Sequence, residues 1–221
     1  LVWIHFFNPV PKMLLVEIVQ GAKTDPAVIQ NALAFTRKID RLPLPVKSTP
    51  GFLVNRVLMA YLLESLVIAD EGVPITIIDK AMLNFGMPMG PITLADFIGL
   101  DVCLAVADYL GGLLHCKVPN RLSEMVKQGK LGKKSGEGFY KYTKAGKQIK
   151  PTPTTYDQPL ETISDRLIQR MLDEAFACLR EHVVADADLL DAGMIFGTGF
   201  APFRGGPMHY AKTKELLNDK L

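Results

Sequence analysis

His5 and Glu17 are the residues of this chain best placed by type and spacing to do chemistry. His5 opens an aromatic, apolar segment, His5-Phe6-Phe7-Asn8-Pro9-Val10-Pro11, and Glu17 closes the next apolar run twelve residues on. An imidazole with one nitrogen held by a carboxylate has a fixed tautomer and a stabilised cation, and its other nitrogen can take a proton from an alcohol. The pair is therefore a candidate acid/base dyad. A half-buried histidine with an ordinary hydrogen bond fits the same spacing equally well. Asn55 is a second candidate, in the first turn of an apolar helix beyond Pro50-Gly51. A buried amide there must find partners: a ligand carbonyl or hydroxyl would serve, and so would local backbone, which the sequence favours. Arg56 beside it reads as an ion-pair partner of Glu64 or another acid. Asn8 is biased toward extended backbone by Pro9, leaving its side chain to cap a turn or touch a ligand. Lys134, in a glycine-rich turn, could reach a phosphate or simply face solvent. His115, His182 and His209 have no metal-ligand spacing and read as surface or core residues.

The elements that must position these groups change character along the chain. Apolar runs at 3–7 and 14–19, separated by prolines, predict two strands. Thr24-Asp25-Pro26 marks a helix start, with Val28, Ala32, Phe35 and Ile39 as its inward face, ended by Pro43 and Pro45. Leu42–Lys47 reads as extended. The first 48 residues are thus β-β-α-β, too few strands for a closed sheet domain, and the strands of residues 1–20, with unpaired edges, are expected to be displaced, swapped or paired between molecules. Beyond Pro50-Gly51 the pattern is helical, at 52–71, 77–85, 92–98, 101–110 and 120–128. Residues 131–140 form a glycine-rich basic turn ending in Phe139-Tyr140, and 143–160 read as a linker.

After the linker the pattern returns. Asn55-Arg56, Glu64, Glu71 and Val73 match Asp165-Arg166, Glu174, Glu181 and Val183 at a constant offset of 110, and Asp79-x-x-Met82 matches Asp191-x-x-Met194 with a two-residue slip. A Gly/Pro-rich loop follows in both copies. The fold class expected is mainly α: two repeated helical units, 49–142 and 161–221, after a β-β-α-β segment at 1–48. The apolar helices 52–71 and 161–181 are expected to cover one another.

A length of 221 residues and a net charge of +2 give a sizeable core and no electrostatic case for nucleic acid. Three cysteines without CxxC spacing point to a reduced, intracellular setting. The apolar stretch 52–69 contains Asn55, Arg56 and Glu64, which argues for a buried helix and against a membrane span. No GxGxxG follows a strand.

Taken together, His5-Phe-Phe-Asn-Pro-Val-Pro, Glu17 twelve residues on, Gly51-Phe-Leu-Val-Asn55-Arg and Gly132-Lys-Lys-Ser-Gly-Glu-Gly-Phe-Tyr resemble the L-3-hydroxyacyl-CoA dehydrogenases of fatty-acid β-oxidation. The resemblance runs to about residue 210. It implies an NAD-binding Rossmann domain, of which 1–48 would be the end, followed by a helical domain that mediates dimer contacts and closes over an acyl-CoA. It implies that His5 is the base for the 3-hydroxyl proton and Glu17 its orienting partner. Asn55 would bond the substrate near the reacting carbon, Asn8 would touch the nicotinamide end of NAD, and Lys134 would approach the cofactor from the helical side. The duplicated helical unit is similar to the multifunctional type, which carries an enoyl-CoA hydratase region. Phe196 falls where such enzymes can have a substrate-contacting tyrosine, and lacks the hydroxyl. A homodimer or an assembly with a thiolase subunit, in the cytoplasm or an organellar β-oxidation compartment, is implied as well.

The glycine loop, the ribose-binding acid and a serine of the catalytic group do not occur in this sequence. The chain is therefore expected to be the carboxy-terminal part of a longer protein, with little or no dehydrogenase activity by itself. Competing expectations are a non-catalytic helical module for dimerisation or assembly, and a related dehydrogenase of a free hydroxy acid.

Overall fold

The computed structural model describes residues 1–114, 118–149, 151, 152 and 154–216; His115 and Cys116 lie outside them. Strands β1 (Val2–Phe6), β2 (Leu15–Gln20) and β3 (Leu42–Lys47) form one sheet in the order β1-β2-β3, with helix α1 (Pro26–Lys38) between β2 and β3. β1 pairs antiparallel with β2, setting His5 opposite Glu17, and β2 pairs parallel with β3. The strands expected to be displaced or swapped are thus paired within the chain.

α1 begins as its sequence dictates. The Asp25 side chain accepts from the backbone N–H of Ala27, and Pro26 occupies the first turn, where its lacking N–H leaves no bond unmade. Its inward face differs from the expected one. Ile29, Ala32, Leu33 and Thr36 are buried, whereas Val28, Phe35 and Ile39 are exposed. Both faces alternate Ala32 with bulky neighbours, so periodicity alone left the phase open by one residue, and packing on Val16 and Ile18 decides it.

The chain forms two compact units, Leu1–Val57 with Leu172–Leu221, and Leu58–Met171. The helices are α2 (Val54–Asp70), α3 (Ile75–Phe85), α4 (Pro91–Ile98), α5 (Leu100–Leu114), α6 (Asn120–Lys127), α7 (Leu160–Arg180), α8 (Ala187–Thr198) and α9 (Pro207–Thr213). The architecture is mainly helical with a β-β-α-β beginning, as expected. Among the described residues no single helix is long and apolar enough to cross a membrane.

The duplication is visible as repeated chemistry. In the Leu58–Met171 unit, Asp79 of α3 accepts from the N–H groups of Ile92 and Thr93 at the start of α4. In the other unit, Asp191 of α8 accepts from Met208 and His209 at the start of α9. A carboxylate satisfies orphan first-turn donors and complements the helix dipole in both. Gly90 and Gly206 precede these helices, and a Cβ on either would lie 2.3–2.4 Å from the aspartate side chain.

The arginines also repeat, with their partners exchanged between copies. Arg56 bonds Glu174 (2.6 Å) and Glu181, whereas Arg166 bonds Glu64 (2.6 Å) and Glu71. Of the two expectations for Arg56, Glu64 is therefore not its partner. Each arginine reaches the pair of acids belonging to the other copy.

Burial separates the two clamps. Arg56 is 2% exposed and Glu174 is buried, while Arg166 is 42% exposed. Arg56→Ala is expected to cost about 3 kcal/mol because it strands buried carboxylate charge. Arg166→Ala should cost about 1 kcal/mol or less. Urea midpoints of the two variants check this, and equal losses would refute it.

The arginines also hold Glu181 and Glu71 below the usual carboxylate range, chiefly through direct hydrogen bonds. That stabilisation is complete above the unfolded carboxylate value and fades as pH falls through the lowered folded values. Acid titration of the urea midpoint should therefore be shallower in either arginine variant than in the parent chain.

Candidate active site

The His5–Glu17 pair is built by strand register. Directly opposed residues of an antiparallel pair project to the same face, so pairing His5 with Glu17 brings the side chains together. His5 Nδ1 lies 2.7 Å from Glu17 Oε2. Glu17 is fully buried, and the His5 side chain is 28% exposed. A carboxylate only accepts, so the shared proton sits on Nδ1, and Nε2 of the neutral ring is the acceptor.

Glu17's other oxygen, Oε1, accepts from the backbone N–H groups of Leu53 (3.1 Å) and Val54 (3.0 Å). Val54 is the first residue of α2, so the carboxylate occupies a helix N-terminus, where donors are free and negative charge is favoured. One buried side chain thus joins β1, β2 and α2. Its three donors offset the desolvation that burial of a carboxylate demands.

Phe52 completes the arrangement, and the sequence reading did not single it out. Its backbone is left-handed, with φ +50°, after Gly51 at +75°. A bulky residue there is strained, and such strain persists only where surrounding contacts enforce it. That turn aims the next two N–H groups at Glu17. The Phe52 ring lies 5.4 Å from the imidazole centroid, Phe7 lies 4.7 Å from it, and Trp3 packs edge-on against Phe52. The available signal was Gly51 after proline, immediately before an aromatic residue.

Asn55 follows Val54 on the first turn of α2 and is half-buried. Its amide makes no hydrogen bond among the described residues, so the local backbone bond favoured from sequence is not formed. Asn8 is exposed, two residues beyond β1, and its bond to Pro9 is cis. Phe196 is exposed on α8 and lines a cleft with His209 and Lys212. Lys134 belongs to the other unit, where it pairs with Asp101 at 2.5 Å in a 3₁₀ turn. A carboxylate therefore holds the amine expected to reach a phosphate. His182 is exposed at φ +55°. Among the described residues no group of His, Cys, Asp or Glu could hold a metal ion.

An NAD phosphate cradle needs open backbone donors after a strand. The described passages of that kind are β2 to α1, capped by Asp25, and β3 to α2, capped by Glu17, so both helix starts already carry an acid. The described residues therefore offer the phosphates no cradle there.

Comparison with known proteins agrees with this division. Residues 51–142 match the family model of the 3-hydroxyacyl-CoA dehydrogenase C-terminal domain, and residues 1–49 that of the 3-hydroxyacyl-CoA dehydrogenase NAD-binding domain. The fatty acid oxidation complex subunit alpha of Shewanella oneidensis is 38% identical over 95% of this chain, which spans 31% of that protein. The chain therefore covers about a third of the length of such relatives. The dehydrogenase part of multifunctional enzyme 1 from C. elegans superposes with a TM-score of 0.66 at 28% identity, over 89% of this chain and 48% of that one. The 3-hydroxybutyryl-CoA dehydrogenase of Escherichia coli shares the fold, with a TM-score of 0.79 over 96% of this chain and 63% of that one, at 22% identity. With the end of the NAD-binding domain at residues 1–49 and the C-terminal domain at 51–142, this chain belongs to the 3-hydroxyacyl-CoA dehydrogenase family.

Proposed function

We propose that the chain carries the acid/base dyad and helical domain of an NAD-dependent (S)-3-hydroxyacyl-CoA dehydrogenase, which oxidises 3-hydroxyacyl-CoA to 3-oxoacyl-CoA in fatty-acid oxidation. The observation that supports this best is the bond from His5 Nδ1 to a fully buried carboxylate, which leaves Nε2 as the proton acceptor. In the oxidative direction Nε2 takes the proton of the substrate 3-hydroxyl, and Glu17 stabilises the imidazolium that forms. In the reductive direction the same nitrogen returns it.

The free amide of Asn55 bonds the substrate near the reacting carbon. Asn8 contacts the nicotinamide end of the cofactor, Lys134 approaches it from the helical domain, and Phe196 offers an apolar contact in place of a hydroxyl. NAD, when bound, supplies the hydride-accepting chemistry and is held mainly by residues outside this chain. A relative named as a subunit of a fatty acid oxidation complex supports an assembled state, either a homodimer or a complex with a thiolase subunit.

Positioning of both reactants supplies much of the rate of such a transfer, so the dyad alone is not sufficient. The 221-residue chain is expected to show no loss of NADH absorbance with acetoacetyl-CoA, and measurable turnover would refute that. In the longer protein, Glu17→Gln keeps an oxygen for Leu53 and Val54 but can turn an N–H toward Nδ1, selecting the wrong tautomer. Its kcat should fall by about 10²- to 10⁴-fold with little change in KM. A variant with full kcat removes the mechanism. A non-catalytic assembly module needs no substrate amide, so acyl-CoA binding by the longer protein that Asn55→Ala abolishes separates the two readings.

A further inference from the structure

Glu17 holds the groups around it through bonds made within the chain, and two polar groups beside those bonds make none. His5 Nδ1 is held by Oε2 at 2.7 Å, and among the described residues no hydrogen bond reaches Nε2. The N–H groups of Leu53 and Val54 are held by Oε1, and the next residue, Asn55, keeps its amide protons free. One buried carboxylate thus places a proton acceptor through β1 and a pair of donors through the first turn of α2. The Phe7 and Phe52 rings, 4.7 and 5.4 Å from the imidazole centroid, restrict how that ring can turn.

Hydride transfer needs a cofactor, and proton transfer does not. The product of the proposed oxidation, a 3-oxoacyl thioester, has no hydroxyl proton left on C3. Its acidic hydrogens are those on C2, between the ketone and the thioester carbonyl. A neutral imidazole that keeps its proton on Nδ1, toward Glu17, has none to give the ketone oxygen. Toward this molecule Nε2 can act only as a base, and C2 is one bond from the carbon whose oxygen the dyad serves in the oxidation.

We propose that the chain has a second, cofactor-independent activity: reversible enolisation of 3-oxoacyl thioesters. His5 Nε2 takes a proton from C2, the C–H bonding pair becomes the C2–C3 double bond, and the ketone π pair moves onto the C3 oxygen. The Asn55 amide donates to that oxygen as its negative charge develops, and Glu17 stabilises the imidazolium. Return of a proton to C2 restores the ketone, so nothing is oxidised or reduced. In D2O the net result is replacement of the C2 hydrogens by deuterium. The inference rests on reading His5 and Glu17 as a base for this class of thioester, and not on NAD or on hydride transfer.

Proton NMR of acetoacetyl-CoA in D2O, with the 221-residue chain and no nucleotide cofactor, tests it. The C2 signal is expected to disappear about 10²-fold faster than with free imidazole at the same concentration, since base and donor are held in place. Asn55→Ala should slow the exchange about tenfold, and Asn55→Asp further, because it sets a negative charge where the enolate oxygen forms. Asn55 bonds nothing in the fold, so unchanged urea midpoints would show that only the donor is lost. His5→Gln should return the exchange to its uncatalysed rate. Exchange no faster than with imidazole, or indifferent to both changes at Asn55, overturns the proposal. NADH turnover by the longer protein reports on the dehydrogenase separately. If Glu17→Gln abolishes that turnover while the chain exchanges no C2 hydrogen, enolisation alone is refuted; the opposite pair of results refutes the hydride reading alone.

Discussion

Burying a carboxylate beneath a three-stranded sheet is the constraint around which the Leu1–Val57 segment is organised. Glu17 has no access to water and makes three short contacts, one to an imidazole and two to backbone N–H groups. Losing any of them leaves charge in a medium that penalises it. The sheet register supplies the first contact. The other two require the chain to turn sharply before α2, and the left-handed backbone at Gly51 and Phe52 does so. Strain at Phe52 is thereby tied to the tautomer of His5. The residue that bends the backbone also places its ring against the imidazole.

The same device recurs at three further places in this fold. Glu17 receives α2, Asp79 receives α4, Asp191 receives α9, and Asp96 receives Phe139 and Tyr140. Burial pushes the Asp79, Asp96 and Asp191 carboxyls above their ordinary range, and the N–H donors pull the other way. A glycine stands where the backbone closes on each aspartate: Gly90, Gly206, and the pair Gly132 and Gly138. These four glycines are therefore explained by the carboxylates they close upon.

These long-range partnerships set the boundary of what the sequence made legible. Leu42–Lys47 was read with the bounds it has, and the strands and most helices lie within a few residues of their expected places, because prolines, glycines and local periodicity mark them. Asp25 before Pro26 is a complete local signal. The phase of α1 was missed because two adjacent stripes are both apolar, and only the sheet chooses between them. Arg56 was legible as an ion-pair residue but not as the partner of Glu174 and Glu181, since those acids lie more than a hundred residues away. The dyad's residue types and spacing were readable, and its geometry follows once β1 and β2 pair. Phe52 was not, because a strained turn has no periodicity.

Divergence between the copies shows how a duplicated unit takes up a new packing partner. Gly193 and Gly197 of α8 stand where α3 has Ala81 and Phe85, both buried. In α8 the facing surface is the sheet and the start of α2. A Cβ on Gly193 would come within 2.7 Å of Leu44, and one on Gly197 within 3.0 Å of Val54 and Leu15. Glycine costs a helix interior about 1 kcal/mol relative to alanine. Two glycines four residues apart on one face therefore mark a requirement stronger than helix propensity, namely room for the sheet against the helix backbone. Leu15 is the strand neighbour of Val16 beside the dyad, and Val54 donates to Glu17. The second copy, though it brings no residue of the dyad, thus packs directly on the groups that hold Glu17 in place.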